Sequence, residues 1–255
     1  MENYKPKDYE EVVITKGNAE EIYNYALNVP DANIDTLSEA MIKTGDAEYN
    51  YLFAKNIPNA NVFEHGKVVL ERGAPYWNYC FARDIPNANV LAHGKVVLKS
   101  YDSELNYWFA KDVQGADVEA HGKSIINLAQ VQYNYLFAKN IPNAKILEHG
   151  EVILKSGDLL TNYLFARDIP DANVLEHYKA IEDFHWRKMF VEKILLTDKQ
   201  KYKKVILDNY NLFETIKFYT KYYCEKIYAK KKLKGLVKKV CFSKEEKGEE
   251  LNLNR

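Results

Sequence analysis

Five histidines, His65, His93, His121, His149 and His177, recur at a constant step of 28 residues and account for all but one of the six in the chain. Imidazole is the commonest metal ligand, so a column of imidazoles first raises the question of zinc or another transition metal. A shared ion needs ligand nitrogens at about 2.0–2.1 Å from one centre. Equivalent residues on stacked helices stand about 8–10 Å apart, and no carboxylate or thiol column accompanies the histidines to close that gap. The histidines therefore read as hydrogen-bonded members of a repeat interface that protonation below about pH 6 would loosen. No metal or other cofactor is expected.

A second set of columns places an aromatic and a cation four residues apart: Tyr51 with Lys55, Tyr79 with Arg83, Tyr107 with Lys111, Tyr135 with Lys139 and Tyr163 with Arg167. Residues at that spacing adjoin on a helix, and the pairs are expected on an exposed face. One aromatic and one cation per unit is what a surface that stacks bases and tracks phosphates would carry. Against this, each cation is followed by Asn56, Asp84, Asp112, Asn140 or Asp168, and residues 1–180 hold 17 Lys and Arg against 25 Asp and Glu. An acidic body repels phosphate. The alternative is a solvated structural face, each cation laying its stem over the tyrosine and pairing with a nearby carboxylate. A further column, Asn50, Asn78, Asn106, Asn134 and Asn162, shares a face with apolar residues and reads as a stacking device whose amides find backbone partners.

Residues 181–255 reverse the charge balance, with 19 Lys and Arg against 11 Asp and Glu. Within them "YAKKKLKGLVKKV" sets Lys230, Lys231, Lys232, Lys234, Lys238 and Lys239 around Leu233, Leu236 and Val237. Such a basic amphipathic helix could meet nucleic acid, an anionic membrane or an acidic protein groove. The polar tail 243–255 is expected to be disordered. The chain carries no G-x-S-x-G, phosphate-binding loop, dinucleotide fingerprint or H-E-x-x-H, and we expect no enzymatic activity.

The elements that position these columns follow from the period itself. Segments beginning at Glu21, Tyr49, Trp77, Leu105, Tyr133 and Thr161 align without a gap, as in "YNYLFAKNIPNANV" and "TNYLFARDIPDANV". In the first half of a unit, Asn50, Phe53, Ala54 and Ile57 fall on one helical face, and Pro58 stops the helix. Asn61 then caps a second helix that ends at Gly73, as equivalent helices end at Gly45 and Gly157. Helices of two or three turns are marginal alone and must stack on their neighbours. The columns Ala26, Ala54, Ala82, Ala110, Ala138 and Ala166, and Phe53, Phe81, Phe109, Phe137 and Phe165 with Tyr25, set small beside large for that stacking.

The expected fold is all-α: a right-handed α-solenoid of stacked two-helix repeats with a C-terminal helical cap. Residues 1–20 form an N-terminal half-repeat cap, 21–182 six repeats and 183–242 a basic helical segment, in which Phe184, Trp186 and Phe190 are suited to closing the open end. The "FA[KR][DN]" core followed by Pro and Ala resembles short tandem repeats of Firmicutes and their phages, in the broad company of armadillo, HEAT and leucine-rich-variant solenoids. The resemblance covers about two thirds of the chain. It implies a binding scaffold, a phage or mobile-element protein that occupies and inhibits a host or defence factor.

Composition agrees with a globular protein: 47% hydrophobic residues, and Tyr far in excess of Gly and Pro. Cys80, Cys224 and Cys241 are odd in number and scattered, as reduced thiols in a cytoplasmic protein would be. No leader and no apolar run of the roughly 20 residues that span a bilayer is evident. A protein partner is favoured, with nucleic acid as the alternative through the Lys-rich end and the Tyr/Lys column. The variable positions Asn24, Leu52, Cys80, Trp108, Leu136 and Leu164 on first helices, and Phe63, Leu91, Glu119, Leu147 and Leu175 on second helices, are expected to face that partner. Trp77 and Trp108 are its anchors, because Trp is enriched at binding hot spots.

Overall fold

The computed structural model describes residues 6–16, 18–190 and 193–194. The chain divides into two units, Met1–Ile194 and Leu195–Arg255, and the second lies outside the described residues. In the first unit α1 (Pro6–Lys16) precedes a series of helix pairs. These are α2 (Ala19–Asn28) with α3 (Ile34–Thr44), α4 (Ala47–Asn56) with α5 (Val62–Arg72), and α6 (Pro75–Asp84) with α7 (Val90–Leu98). The series continues as α8 (Ser103–Asp112) with α9 (Val118–Leu128), α10 (Val131–Asn140) with α11 (Ile146–Ser156), and α12 (Leu159–Asp168) with α13 (Val174–Ala180). The short α14 (Phe184–Phe190) follows.

Each boundary has a local cause. Asp46 opens α4 by accepting from the Tyr49 amide, and Asn61 opens α5 by accepting from that of Glu64. Between them the chain reverses at Pro58, which has no amide to donate, and at Asn59, whose φ of 64° lies in the left-handed region that Asn tolerates. Helix α5 stops at Gly73, again left-handed at φ 65°.

Partners within a pair pack most closely, and each pair touches the next, first helix on first helix and second on second. This is an all-α solenoid of two-helix repeats. The Ala column is buried throughout, and the Phe column is sealed from solvent at every position from Phe53 to Phe165. Burial of each phenyl contributes about 2 kcal/mol. Each ring lies against the histidine of its own repeat, with centroids 4.9 Å apart for Phe53 and His65 and 4.7 Å for Phe109 and His121.

A glycine follows every such histidine from His65 to His149, close against the next repeat's phenylalanine, which leaves little room for a side chain. A Cβ on Gly66 would stand 3.1 Å from the Phe81 ring. At one end α1 closes the stack through Val13, which joins Ile22, Tyr25 and Leu37 in one cluster. At the other, α14 brings Trp186 and Phe190 to within 5.9 and 6.1 Å of Tyr163.

Candidate functional site

The asparagine and histidine columns form one device. Asn50 Nδ2 donates both hydrogens to carbonyls, to Met41 in the preceding second helix at 3.2 Å and to Asp46 at the head of its own helix at 2.7 Å. With both donors spent, Asn50 Oδ1 accepts from His65 Nδ1 at 2.7 Å. This sets the tautomer: in the neutral imidazole the proton is on Nδ1 and the lone pair on Nε2. The same bond joins Asn78 to His93, Asn106 to His121, Asn134 to His149 and Asn162 to His177.

All ten side chains are buried. Burial lowers the pKa of each histidine from 6.5 to about 4. Asn50, Asn78, Asn134 and Asn162 thus each tie three helices together, Asn106 ties two, and the histidines serve the stack. Among the described residues no group of three His, Cys, Asp or Glu is placed to hold a metal ion.

The column spacing alone does not reveal this pairing, but an exchange within the chain signals it. In the first pair both members are replaced together, by Ile22 at the asparagine position and Leu37 at the histidine position, and both are fully buried. The glycine position there holds Ser38, whose hydroxyl meets His65 Nε2 of the next repeat at 2.9 Å. Where glycine stands instead that nitrogen has no such donor, and His121 Nε2 is buried without a hydrogen bond.

The tyrosines expected on an exposed face are not exposed. Tyr51, Tyr79, Tyr107 and Tyr163 are buried and Tyr135 half-buried, because each lies between first helices of adjacent repeats. They form a ladder that runs from repeat to repeat. Tyr51 donates to Asp84 Oδ2 at 2.5 Å, and Lys55, which lies over the Tyr51 ring, reaches the same oxygen at 2.7 Å. Tyr135 and Lys139 repeat the arrangement on Asp168.

Arg83 and Arg167 grip Asp84 and Asp168 from the side, and each lies over its own tyrosine ring, Tyr79 and Tyr163. The Arg83 guanidinium, then Lys55 and Tyr51, hold the Asp84 carboxyl well below the usual carboxylate range, against the opposing effect of burial. The hydrogen bond to Asp84 pushes the Lys55 ammonium up to about 12. Faces of tyrosine that base stacking would need are covered.

Of the two variable columns, the structure leaves the second-helix one more open, Leu175 being half-buried there, while in the first-helix column Asn24 alone is exposed. On first helices Cys80 is buried, and Leu52, Leu136, Leu164 and Trp108 are half-buried against their neighbours. Trp77 is half-buried as well, pressed on Tyr51 at 5.6 Å and on Tyr76 at 4.9 Å. Trp108 lies beside Tyr107 at 5.2 Å, with Lys111 Nζ 4.7 Å above its ring.

On second helices Phe63, Leu91 and Leu147 stand 69%, 59% and 64% exposed at one place in their repeats. Lys67 and Lys95, one turn beyond Phe63 and Leu91, are exposed too, and Glu151 takes that place beyond Leu147. A shallow groove of about 320 Å³ at the N-terminal end is lined by Ile14, Thr36, Glu39, Ala40, Lys43 and Thr44. Lys230, Lys231, Lys232, Lys234, Lys238 and Lys239 lie outside the described residues, as does the tail 243–255. Among the described residues no helix is long and apolar enough to cross a membrane.

No protein-family model matches the chain, and no curated protein or solved structure does. The likeness of its repeat motif to proteins of Firmicutes and their phages gains no support from comparison, and the solenoid architecture stands on the structure alone.

Proposed function

We propose that the helical array is a non-catalytic scaffold that binds a protein partner. The observation that carries this reading is the exposed apolar column Phe63, Leu91 and Leu147. The Phe and Ala columns and the buried Asn–His pairs form the core without it; Phe63 lies under Lys67 Nζ at 4.4 Å. Large apolar groups at equivalent places on three second helices, with the ion-paired Glu119 at that place between Leu91 and Leu147, are what a protein interface uses. The array's tyrosines and most of its Tyr-column cations are bound to one another and to aspartates, so a nucleic-acid reading rests on the Lys-rich segment 230–239. A partner that is a host or defence factor, with this chain as its inhibitor, is the finer form of the proposal and rests on the motif's resemblance.

The test is capture from a bacterial lysate by the full chain, with and without nuclease, beside a variant in which Phe63, Leu91 and Leu147 are all serine. A protein retained after nuclease treatment and lost by the variant is the expected result. Nucleic acid retained equally by both proteins and released by salt would overturn it.

A further inference from the structure

The Tyr/Lys ladder has one rung from which a carboxylate is missing. Lys55, Arg83, Lys139 and Arg167 each reach an aspartate, at 2.7, 2.6, 2.8 and 2.5 Å. Lys111, in the same column, makes no ion pair among the described residues. Where Asp84 and Asp168 serve their rungs, the corresponding residue is Asn140, whose Nδ2 donates to Tyr107 OH at 2.8 Å. In a complete rung the tyrosine hydroxyl and the lysine ammonium converge on a single carboxylate oxygen. Here the Lys111 ammonium is unspent, and the Tyr107–Asn140 pair retains an O–H or N–H to give.

The first rung is an internal control. Tyr23 also accepts from an asparagine, Asn56 at 2.8 Å, but Leu27 stands in the cation's place, so that rung is neutral and complete. Trp108 marks the charged gap further. Its column holds Asn24, Leu52, Cys80, Leu136 and Leu164 in the other repeats, and only here does a half-buried indole lie beneath the cation. A lysine held over two aromatic rings, with no counter-ion among the described residues, is set to receive an anion from outside.

We propose that Lys111, Tyr107, Asn140 and Trp108 receive an aspartate or glutamate side chain of the partner protein, which completes the rung in trans. This rests on the scaffold reading and names the partner's chemistry at one position. A carboxylate fits better than the phosphates of a nucleic acid, because a phosphate chain needs successive free cations. The cations on either side, Arg83 and Lys139, are already neutralised by Asp84 and Asp168.

The test selects binders of the full chain from a displayed library of short random peptides, then measures one selected peptide against single variants. The expected result is enrichment of Asp or Glu in the selected peptides. Affinity should fall about tenfold or more in Lys111→Gln, as for the loss of a charge-assisted bond. It should fall similarly in Asn140→Asp, which supplies the missing carboxylate from within. Lys55→Gln, at a complete rung, leaves affinity unchanged.

Lys111 and Asn140 are both exposed, so thermal melts of these variants should match the parent and separate binding from folding. Acid-free peptides, or acidic ones indifferent to Lys111→Gln and Asn140→Asp, would overturn the inference. If those peptides instead lose affinity on substitution of Phe63 and Leu91, the scaffold reading survives without it. Single-stranded RNA that binds through Lys111 would overturn both.

Discussion

A histidine that donates from Nδ1 to a buried amide, and whose Nε2 has at most a serine hydroxyl for company, has little means of accepting a proton in place. The folded-state pKa of each of the five column histidines is lowered to about 4, so the unfolded chain takes up protons first as pH drops below 6.5. Stability is therefore complete above pH 6.5 and declines through the window from 6.5 to 4, by up to about 3 kcal/mol per histidine at about 1.4 kcal/mol per pH unit. Five such penalties exceed the 5–15 kcal/mol or so that holds a domain together. We expect the helical signal in circular dichroism to collapse near pH 5. That is before Asp84 and Asp168, whose pKa values are lowered chiefly by Arg83 and Arg167, begin to protonate. A fold that keeps its full helical signal at pH 4 would refute this account of the column. The chain also suggests its own remedy for the orphaned nitrogen of His121. A Cβ on Gly94 would lie 3.4 Å from that Nε2 and 3.2 Å from the Phe109 ring, and Ser38 already meets these demands two repeats earlier in the array. Gly94→Ser should raise the unfolding free energy in urea by about 1 kcal/mol, through the new hydrogen bond and the loss of a mid-helix glycine. Gly94→Val, which adds bulk without a donor, should lower it.

At the scale of the helix, the position that ends each second helix shows the cost of a wrong residue. Gly45, Gly73 and Gly157 take left-handed φ values there, while the same column holds Tyr101 at φ 55° and Ala129 at φ 54°. A side chain in that region is strained by about 1 kcal/mol. Around Tyr101 the irregularity spreads: α7 is shorter than α3, α5, α9 and α11, ending at Leu98. The amide of Asn106 in α8 bonds Asp102, without the second bond that other column asparagines make to a preceding second helix. Tyr101→Gly should raise the melting temperature by several degrees, and an unchanged or lower value would show that the tyrosine holds the junction. Most of this architecture was legible beforehand, because a helix of one repeat obeys the same capping and stop signals as the next: Asn61, Pro58 and Gly73 each act in the structure as their residue types require. Less legible was which face of a helix meets a neighbour. Tyr51 and Cys80 look like surface residues on a helical wheel, yet a solenoid buries first helices on both flanks, against the repeat before and the repeat after. The missing rung at Asn140 was hidden for the same reason, since its partner Tyr107 lies 33 residues away.

For the molecule as a whole, repetition means that a repeat can be removed. Deleting residues 105–132 joins Glu104 to Tyr133 and regenerates "EYNYLFAKN", the sequence of α4 from Glu48 to Asn56. Because each repeat touches chiefly its neighbours, stability is close to a sum of repeat and interface terms. We expect the shortened chain to be helical and to melt cooperatively at a slightly lower temperature, while losing acidic-peptide binding with Lys111 and Trp108. A chain left unfolded would show that the array depends on more than adjacent contacts. The reach of the buried polar bonds bears on how such a molecule is made. Asn50 looks back nine residues to Met41 and forward fifteen to His65, and Tyr51 looks forward 33 to Asp84. A chain leaving the ribosome therefore meets each partner soon after the group that needs it, and the order of synthesis is the order of assembly. However many repeats the gene encodes, the apolar surface offered at any moment to chaperones or to other nascent chains is that of one unfinished unit.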